Sequence, residues 1–304
     1  MNVMNKLLIT GASGFTGQHA CSHFVNAGFE VTAVTRKKPV NKLVRVEQCD
    51  LTDKSSVDSL VKRIKPDYLL HLAGQNSVEE SWRDPIKTIE TNILSTLYLI
   101  EALRQENPNC KTIIVGSALQ FDTDNVQSLL HPYSLSKSLQ VLVAQSWEVL
   151  YNMHIVIAKP SNLIGPGITS GVCSVFAKKI AEMEHVDSPK IIEVNNLQSQ
   201  RDFLDVRDAV KAYEVLLLKG KSGEIYEIGS GRSCSLSEVI VGYQALTKIE
   251  FGAKSLVMNK EEERVHIPIK KINALGWTAK IPLESSLKDI LFYQREKLTN
   301  NEDI

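Results

Sequence analysis

Leu7-Leu8-Ile9-Thr10-Gly11-Ala12-Ser13-Gly14-Phe15-Thr16-Gly17 decides how the 304-residue chain is read. Leu7–Thr10 are apolar or β-branched and predict a short buried strand. Three glycines spaced by three follow, and Ala20, Cys21, Phe24 and Val25 then recur with helical spacing. Each glycine has a physical task. Gly11 permits a tight strand-to-helix turn, Gly14 lets the backbone approach a pyrophosphate, and Gly17 lets the helix pack close to the sheet. The start of the helix offers free N–H groups and partial positive charge to phosphates. The stretch Gly11, Ser13, Gly14, Phe15, Thr16 and Gly17 is therefore the expected dinucleotide cradle. The competing reading is a glycine-rich turn with no ligand.

Working outward, strands and helical patterns alternate through the first half of the chain. That alternation predicts an α/β fold: a Rossmann doubly wound parallel sheet with helices on both faces. A smaller mixed α/β C-terminal substrate lobe is expected beside it. The expected division gives residues 1–162 to the nucleotide domain, with 203–220 returning to it. Residues 163–202 and 221–298 form the lobe, and 299–304 a fraying tail. Strands are expected at Glu30–Thr35, Leu43–Gln48, Tyr68–Leu72, Thr112–Val115, His154–Ala158, Lys190–Val194 and Glu224–Ile228. Asp53 is expected to cap a helix through Ile64. One long helix is expected from Pro85 to about Arg104, and others over Pro132–Leu150, Val172–Glu184, Val206–Leu218 and Leu283–Lys297.

Composition bounds the function. Lys+Arg and Asp+Glu are both 35, a formal charge of zero, which argues against a general binder of nucleic acid or of anionic membranes. No apolar run reaches membrane-spanning length, and no signal-peptide pattern precedes the first strand. The scattered Cys21, Cys49, Cys110, Cys173 and Cys234 read as buried thiols of a cytoplasmic protein, not as a disulfide or zinc set. No metal site is expected.

The second strand ends Val34-Thr35-Arg36-Lys37-Lys38. NAD-binding versions of this fold place an acid there for the ribose 2′-hydroxyl. Three cations stand instead, which suits a 2′-phosphate of about two negative charges. NADPH, contacted by Arg36, is the expected cofactor, with NADH the weaker option. Asp50 and Leu51 are expected to meet the adenine. Leu72, Ala73 and Gly74 are expected cofactor contacts at a strand end, where small residues let the cofactor backbone pass closely. His71 reads as a structural strand-end histidine.

Tyr133 and Lys137 are four apart and share one helix face. An ammonium beside a phenol lowers its pKa from about 10 toward the working pH. A hydroxyl from Ser117 on the adjacent strand end completes a set able to polarise a carbonyl. Ser117, Tyr133 and Lys137 are the expected catalytic residues.

Taken in order, Gly11-x-x-Gly14-x-x-Gly17, Asp50-Leu51, His71-Leu72-Ala73-Gly74, Asn92, Ser117 and Tyr133-x-x-x-Lys137 resemble the extended short-chain dehydrogenase/reductases, the NAD-dependent epimerase/dehydratase family. Within it the chain is most similar to the GDP-4-keto-6-deoxy-D-mannose reductases (GDP-rhamnose synthases). Asn162–Gly167, Phe176–Glu182, Asn196–Asp208 and Gly276-Trp277 carry that closer likeness. The resemblance implies cofactor contacts from Asn92 and Pro160. It implies sugar-nucleotide contacts from Gln75, Ser117, Ala118, Asn162, Arg201 and Arg264. It also implies a homodimer built on the helices near Pro85–Arg104 and after Tyr133. Dehydratases of the family carry an acid two positions after the active-site Ser/Thr. Leu119 stands there, which disfavours dehydration. Asp122 stands where a glycine is common, and the loop from Asp122 to Pro132 is shorter than usual. The implied activity is NADPH-dependent reduction of the C4 ketone of a nucleotide-linked 4-keto-6-deoxy sugar, GDP- or UDP-linked. An NDP-sugar 4-epimerase with tightly held NAD and a non-catalytic NADP(H)-binding regulator are the alternatives.

Overall fold

A computed structural model describes residues 5–36, 44–119, 121, 124–185, 190–257 and 261–302. Lys37, Lys38, Leu43, Asp122 and the last two residues, all used above, lie outside that set. In chain order the elements are β1 (Lys6–Thr10), α1 (Phe15–Asn26), β2 (Glu30–Thr35), β3 (Arg45–Gln48), α2 (Lys54–Ile64), β4 (Tyr68–His71), α3 (Val78–Arg83), α4 (Pro85–Ile89), α5 (Ser95–Glu106), β5 (Lys111–Val115), α6 (Pro132–Tyr151), β6 (Ile155–Pro160) and β7 (Asn162–Ile164). They continue with α7 (Val172–His185), β8 (Ile191–Val194), β9 (Gln200–Asp205), α8 (Val206–Lys219), β10 (Ile225–Ile228), β11 (Ser233–Ser235), α9 (Leu236–Gln244), β12 (Gly252–Ser255), α10 (Lys270–Asn273) and α11 (Leu283–Glu302). The chain divides into two compact units. The first holds Met1–Pro160, Val210–Glu227 and Lys271–Trp277. The second holds Ser161–Ala209, Ile228–Lys270 and Thr278–Ile304.

The first unit is built on a seven-stranded sheet of order β10-β6-β5-β4-β1-β2-β3. The pairings from β3 through β6 are parallel. At the edge, Ile157 N–H donates to Glu224 C=O and Gly223 N–H to Ile155 C=O, a pattern that advances along both chains in the same sense. The central strands are buried on both faces, as parallel sheets require, which explains runs such as Leu7-Leu8-Ile9 with no polar alternation. One face carries α2, α5 and α6, whose Val57, Leu60, Val61, Leu99, Leu103 and Val141 share a core with Leu8, Leu69 and Ile114. On α1, His23 Nε2 lies 2.7 Å from Glu214 Oε2 of α8. Strand order reverses between β1 and β4, the switch point at which open α/β sheets bind ligands.

Local chemistry sets the helix ends. Asp53 Oδ1 accepts the Ser55 N–H at 3.1 Å, and α2 stops at Lys65, whose φ is 45°. Pro132 opens α6, where it lacks an N–H to satisfy, and His131 Nδ1 accepts the Ser134 N–H at 3.0 Å. The helix ends at Asn152 with φ 53°.

The second unit contains a three-stranded sheet, β11-β9-β7, and a parallel pair, β12-β8. Its core joins α7, α9 and α11 through Phe176, Ile180, Tyr243, Leu287 and Ile290. Three buried carboxylates on β9 and α8 staple it. Asp202 accepts from Ser161 Oγ, Ser230 N–H and Oγ, and Gly231 N–H. Asp205 accepts from Arg207 and Ser286. Asp208 Oδ2 accepts the Lys280 and Ile281 N–H groups at 2.7 Å each.

Several expectations change. The long helix from Pro85 is broken into α4, a wide π turn over Glu90–Leu94, and α5. The apolar spacing runs through all three, so periodicity could not show the break. Helix α3 and strands β7, β11 and β12 are additions; each is at most six residues, too short to carry a period. The expected fraying tail instead continues α11 to Glu302. The five cysteines are buried and free.

Gly17 ties α1 to the sheet. A Cβ there would stand 2.2 Å from Gly11 O and 2.6 Å from Ala12 Cα, both main chain. We predict that Gly17→Ala costs at least about 1–3 kcal/mol, read as a lower urea midpoint. Gly252→Ala, whose Cβ would meet nothing within 4 Å, should leave the midpoint unchanged. Equal midpoints for all three proteins would refute the close-approach role.

Candidate active site

The site of the first unit grows from the C-terminal ends of β1, β4 and β5. At the end of β1 the turn contracts: Gly14 N–H donates to Gly11 O at 3.0 Å, and Gly11 adopts φ 67°. A Cβ on Gly11 would lie 2.7 Å from Ala73 N, so β1 and the end of β4 meet through main chain. Gly14 caps α1 with no side-chain hydrogen bond, and the first turn of α1 has no acid. Ser13 and Gly14 are exposed, and Phe15 and Thr16 half-buried. An uncapped helix start with an exposed glycine has the donors and the space that a pyrophosphate needs. These residues fit a dinucleotide.

Arg36 is exposed at the end of β2, and its carbonyl accepts Gln48 Nε2 at 2.9 Å. Asp50 is held below the usual carboxylate range, first by hydrogen bonds from the Thr52 N–H and hydroxyl and further by the Arg36 charge. Leu51 is not a surface contact: its side chain is 8% exposed and belongs to the core under α2 and α5. Only its main chain remains for an adenine.

Beyond β4, Gly74 is exposed, and a Cβ there would sit 3.0 Å from Asn92 Oδ1 and 3.9 Å from Lys137 Nζ. Asn92 lies in the wide turn, fully buried. Its Oδ1 accepts the Gln75 N–H at 2.7 Å, and its Nδ2 donates to Gln75 O and Ser136 Oγ. The Gln75 amide, expected at substrate, is engaged with the Ser77 main chain and Thr88 Oγ1.

Ser117, Tyr133 and Lys137 come together at the end of β5. The buried Tyr133 hydroxyl hydrogen-bonds Ser117, whose Oγ also accepts the Leu119 N–H at 3.0 Å. Lys137 Nζ donates to Val115 O at 2.8 Å and to Gln140 Oε1 at 2.6 Å. Ala118 N–H donates to Pro160 O at 3.2 Å, joining the ends of β5 and β6. Electrostatics differ from expectation at one point. Burial raises the Tyr133 phenol above its ordinary value, with the Ser117 hydrogen bond opposing it. Burial also pushes Lys137 down to about 7. The reason is shared desolvation: each group is driven toward its neutral form.

His71 is structural. It is fully buried between Thr10 Oγ1 at 2.7 Å and Thr96 Oγ1 at 2.8 Å. Leu119 is half exposed, with no proton chemistry to offer.

In the second unit, Asn162 Nδ2 donates to Asp202 O at 3.0 Å. Arg201 Nη1 donates to Gln200 O at 2.6 Å and meets Glu262 Oε2 at 3.5 Å. Glu262 also accepts from Ser199 Oγ and the Gln200 N–H. Arg264 is exposed, and its charge reaches Glu238. Glu262 and Gln140 were missed in the sequence. Each contacts its partner only through tertiary structure or a helical turn that no motif marks. Among the described residues no cluster could hold a metal ion, and no helix is long and apolar enough to cross a membrane.

A doubly wound sheet, a glycine turn at its switch point and a Ser-Tyr-Lys set together define a short-chain dehydrogenase/reductase. The model of the NAD dependent epimerase/dehydratase family matches residues 7–229, and the chain belongs to that family. It is 29% identical over 301 residues to the GDP-6-deoxy-D-mannose reductase of Pseudomonas aeruginosa, covering 94% of this chain and 96% of that one. A putative UDP-glucose 4-epimerase of Methanocaldococcus jannaschii is 26% identical over 312 residues, covering 95% and 98%. The structure of RMD from Pseudomonas aeruginosa complexed with NADPH superposes with a TM-score of 0.83 at 28% identity, covering 96% and 100%.

The depressed Lys137 pKa carries a stability signature. Between about 7 and the unfolded value near 10.4, the unfolded chain binds the extra proton, so stability rises with pH in that window. Below it the burial cost is fully present. We predict that the stability of the parent relative to Lys137→Met increases from pH 7 to pH 10, by urea unfolding. A difference that stays flat across that range would contradict the assignment.

Proposed function

We propose that the protein is an NADPH-dependent reductase of the C4 ketone of a nucleotide-linked 4-keto-6-deoxyhexose. The coarser reading, an NAD(P)-dependent enzyme that modifies nucleotide sugars, rests on family membership and on relatives that span nearly the whole chain. The finer reading is carried by Arg36, exposed at the end of β2 where an NAD site would carry an acid, with the Ser117-bonded Tyr133 as the available proton donor. Reduction needs an acid at the ketone oxygen, and the Tyr133 hydroxyl can supply that proton.

When bound, NADPH supplies the hydride that reduces C4. Tyr133 donates its proton to the developing alkoxide, and Ser117 hydrogen-bonds the same oxygen. Lys137 holds the nicotinamide ribose. The free N–H groups at the start of α1 take the pyrophosphate, and Arg36 the 2′-phosphate. We assign the substrate diphosphate to Arg201 and Arg264. Leu119 offers no base for the C5 proton, which leaves dehydration without its acid–base residue. The relative that binds NADPH and the relative that is a GDP-6-deoxy-D-mannose reductase favour this reading, and a GDP-linked sugar with it.

The assay is NADPH oxidation against GDP-, UDP- and dTDP-4-keto-6-deoxy sugars, with the product identified by NMR. One of them should be reduced. Tyr133→Phe should lose about 10²–10⁴-fold in kcat while NADPH still binds; full activity in that variant would exclude Tyr133 as the donor. NAD(H) that co-purifies, with no net consumption of NADPH, would point to a 4-epimerase instead. For the cofactor, Arg36→Ala should lose most of the preference for NADPH over NADH. An undiminished preference would remove Arg36 from the 2′-phosphate.

A further inference from the structure

Lys137 stands at one end of a buried chain of hydrogen bonds that the proposed reaction leaves unexplained. Its Nζ donates to Gln140 Oε1, and Gln140 Nε2 donates to Thr96 Oγ1 at 2.8 Å. Thr96 Oγ1 also bonds Asn92 O at 2.8 Å and His71 Nε2 at 2.8 Å. His71 Nδ1 meets Thr10 Oγ1 at 2.7 Å, and Thr10 Oγ1 meets the Ala73 N–H at 3.2 Å. Thr10, His71, Thr96 and Gln140 are all 0% exposed, so water does not substitute for any of them.

Donor chemistry allows one proton arrangement. A main-chain carbonyl only accepts, and an amide nitrogen only donates. The single hydroxyl proton of Thr96 therefore goes to Asn92 O. Thr96 then accepts from both Gln140 and His71, which places the imidazole proton on Nε2. Nδ1 is left as an acceptor, so Thr10 donates to it while accepting from Ala73. The ring is neutral, because burial, aided by the Lys137 charge, pushes its pKa down to about 3. Gln140 has no freedom to flip. Its oxygen would then face a hydroxyl with no proton to give, and its NH2 would face the ammonium.

We propose that Gln140 is a positioning residue for Lys137, its amide oxygen oriented by Thr96 and His71 so that, with Val115 C=O, it holds the ammonium in place beside Gly74 and Asn92. The inference rests on the reductase reading and deepens it. A buried ammonium is stable only against oriented oxygen dipoles. Two fixed acceptors both favour the charge and set its location. His71 on β4 and Tyr133 on the same helix are the titratable groups facing it. Charges on the other elements packed against α6 are engaged elsewhere: Glu79 and Glu80 of α3 with Arg83, Glu101 of α5 with Arg104, and Lys159 of β6 with Glu227. Lys87 of α4 and Glu90 of the wide turn are exposed.

The test compares Gln140→Met, of similar volume without the oxygen, with Gln140→Glu, which keeps it. In the full-length protein, 15N-lysine NMR follows Lys137, assigned by its loss in Lys137→Met. The midpoint should fall by about one pH unit in Gln140→Met and rise in Gln140→Glu. In NADPH oxidation with GDP-4-keto-6-deoxymannose, Gln140→Met should lower kcat about 10–100-fold with sugar KM within about twofold, and Gln140→Glu should recover most of it. A Lys137 midpoint and kcat unchanged in Gln140→Met would overturn the proposal. If that variant does not fold, Gln140→Glu decides alone: an unmoved midpoint overturns the contact. The NMR needs no turnover, so a parent inert toward every sugar would fail the reductase reading and leave the Gln140 result standing.

Discussion

The Gly11 carbonyl oxygen sits where the backbone of the first turn and the start of α1 meet with no room for a side chain. It accepts the Gly14 N–H, and Gly17 packs on it at a distance that excludes any side chain. On the other side, a Cβ on Gly11 would run into the main chain of Ala73. The turn between β1 and α1 is thus clamped by backbone from the helix and from the end of β4. No rotamer change can relax such a clamp, because no side chain takes part. The rest of the site inherits its position. Gly74 follows Ala73, Asn92 braces Gln75 just beyond, and Asn92 Oδ1 and Lys137 Nζ both lie over the same side of Gly74.

The two units bury charge by opposite means. Lys137 Nζ donates to neutral acceptors, a carbonyl and an amide, with two threonines and an uncharged imidazole further along the same chain of hydrogen bonds. Desolvation therefore stays visible, and it pulls the amine and the phenol toward their uncharged forms. In the second unit, Asp202, Asp205 and Asp208 are as deeply buried but fully supplied with donors. A carboxylate held by several donors stays in place as a structural staple. An incompletely compensated ammonium is poised between two states, which suits a group that works on a proton.

The sequence revealed whatever depends on period or on fixed spacing. The alternation of strands and helices, the glycine turn, the Asp53 cap and the Tyr133–Lys137 pair are local, and the structure contains each of them. Long-range contacts were not visible. Nothing near Gln140 advertises that its amide meets a lysine one helical turn away and a threonine 44 residues back. Leu51 could not be sorted from its neighbour Asp50, since both belong to one turn and only packing separates core from surface. The Tyr133 expectation failed for a related reason. Charge proximity is readable from i and i+4, but desolvation depends on every element that covers the pair.

The wide turn at Glu90–Leu94 has a consequence for register. A π turn holds one residue more than an α turn, so the helix beyond it is rotated by roughly 100° relative to the helix before it. The two segments therefore keep separate phases. In α5, Leu99, Ile100 and Leu103 face the core under the sheet, while the wide turn itself directs Asn92 to Gln75 and Ser136. A regular helix of the same composition could satisfy one of those faces and not both. The extra residue is a phase shift written into the chain. Removing any one of the other four residues would restore a continuous spiral and turn Asn92 away from Gly74, although the Asn92 side chain would still be present.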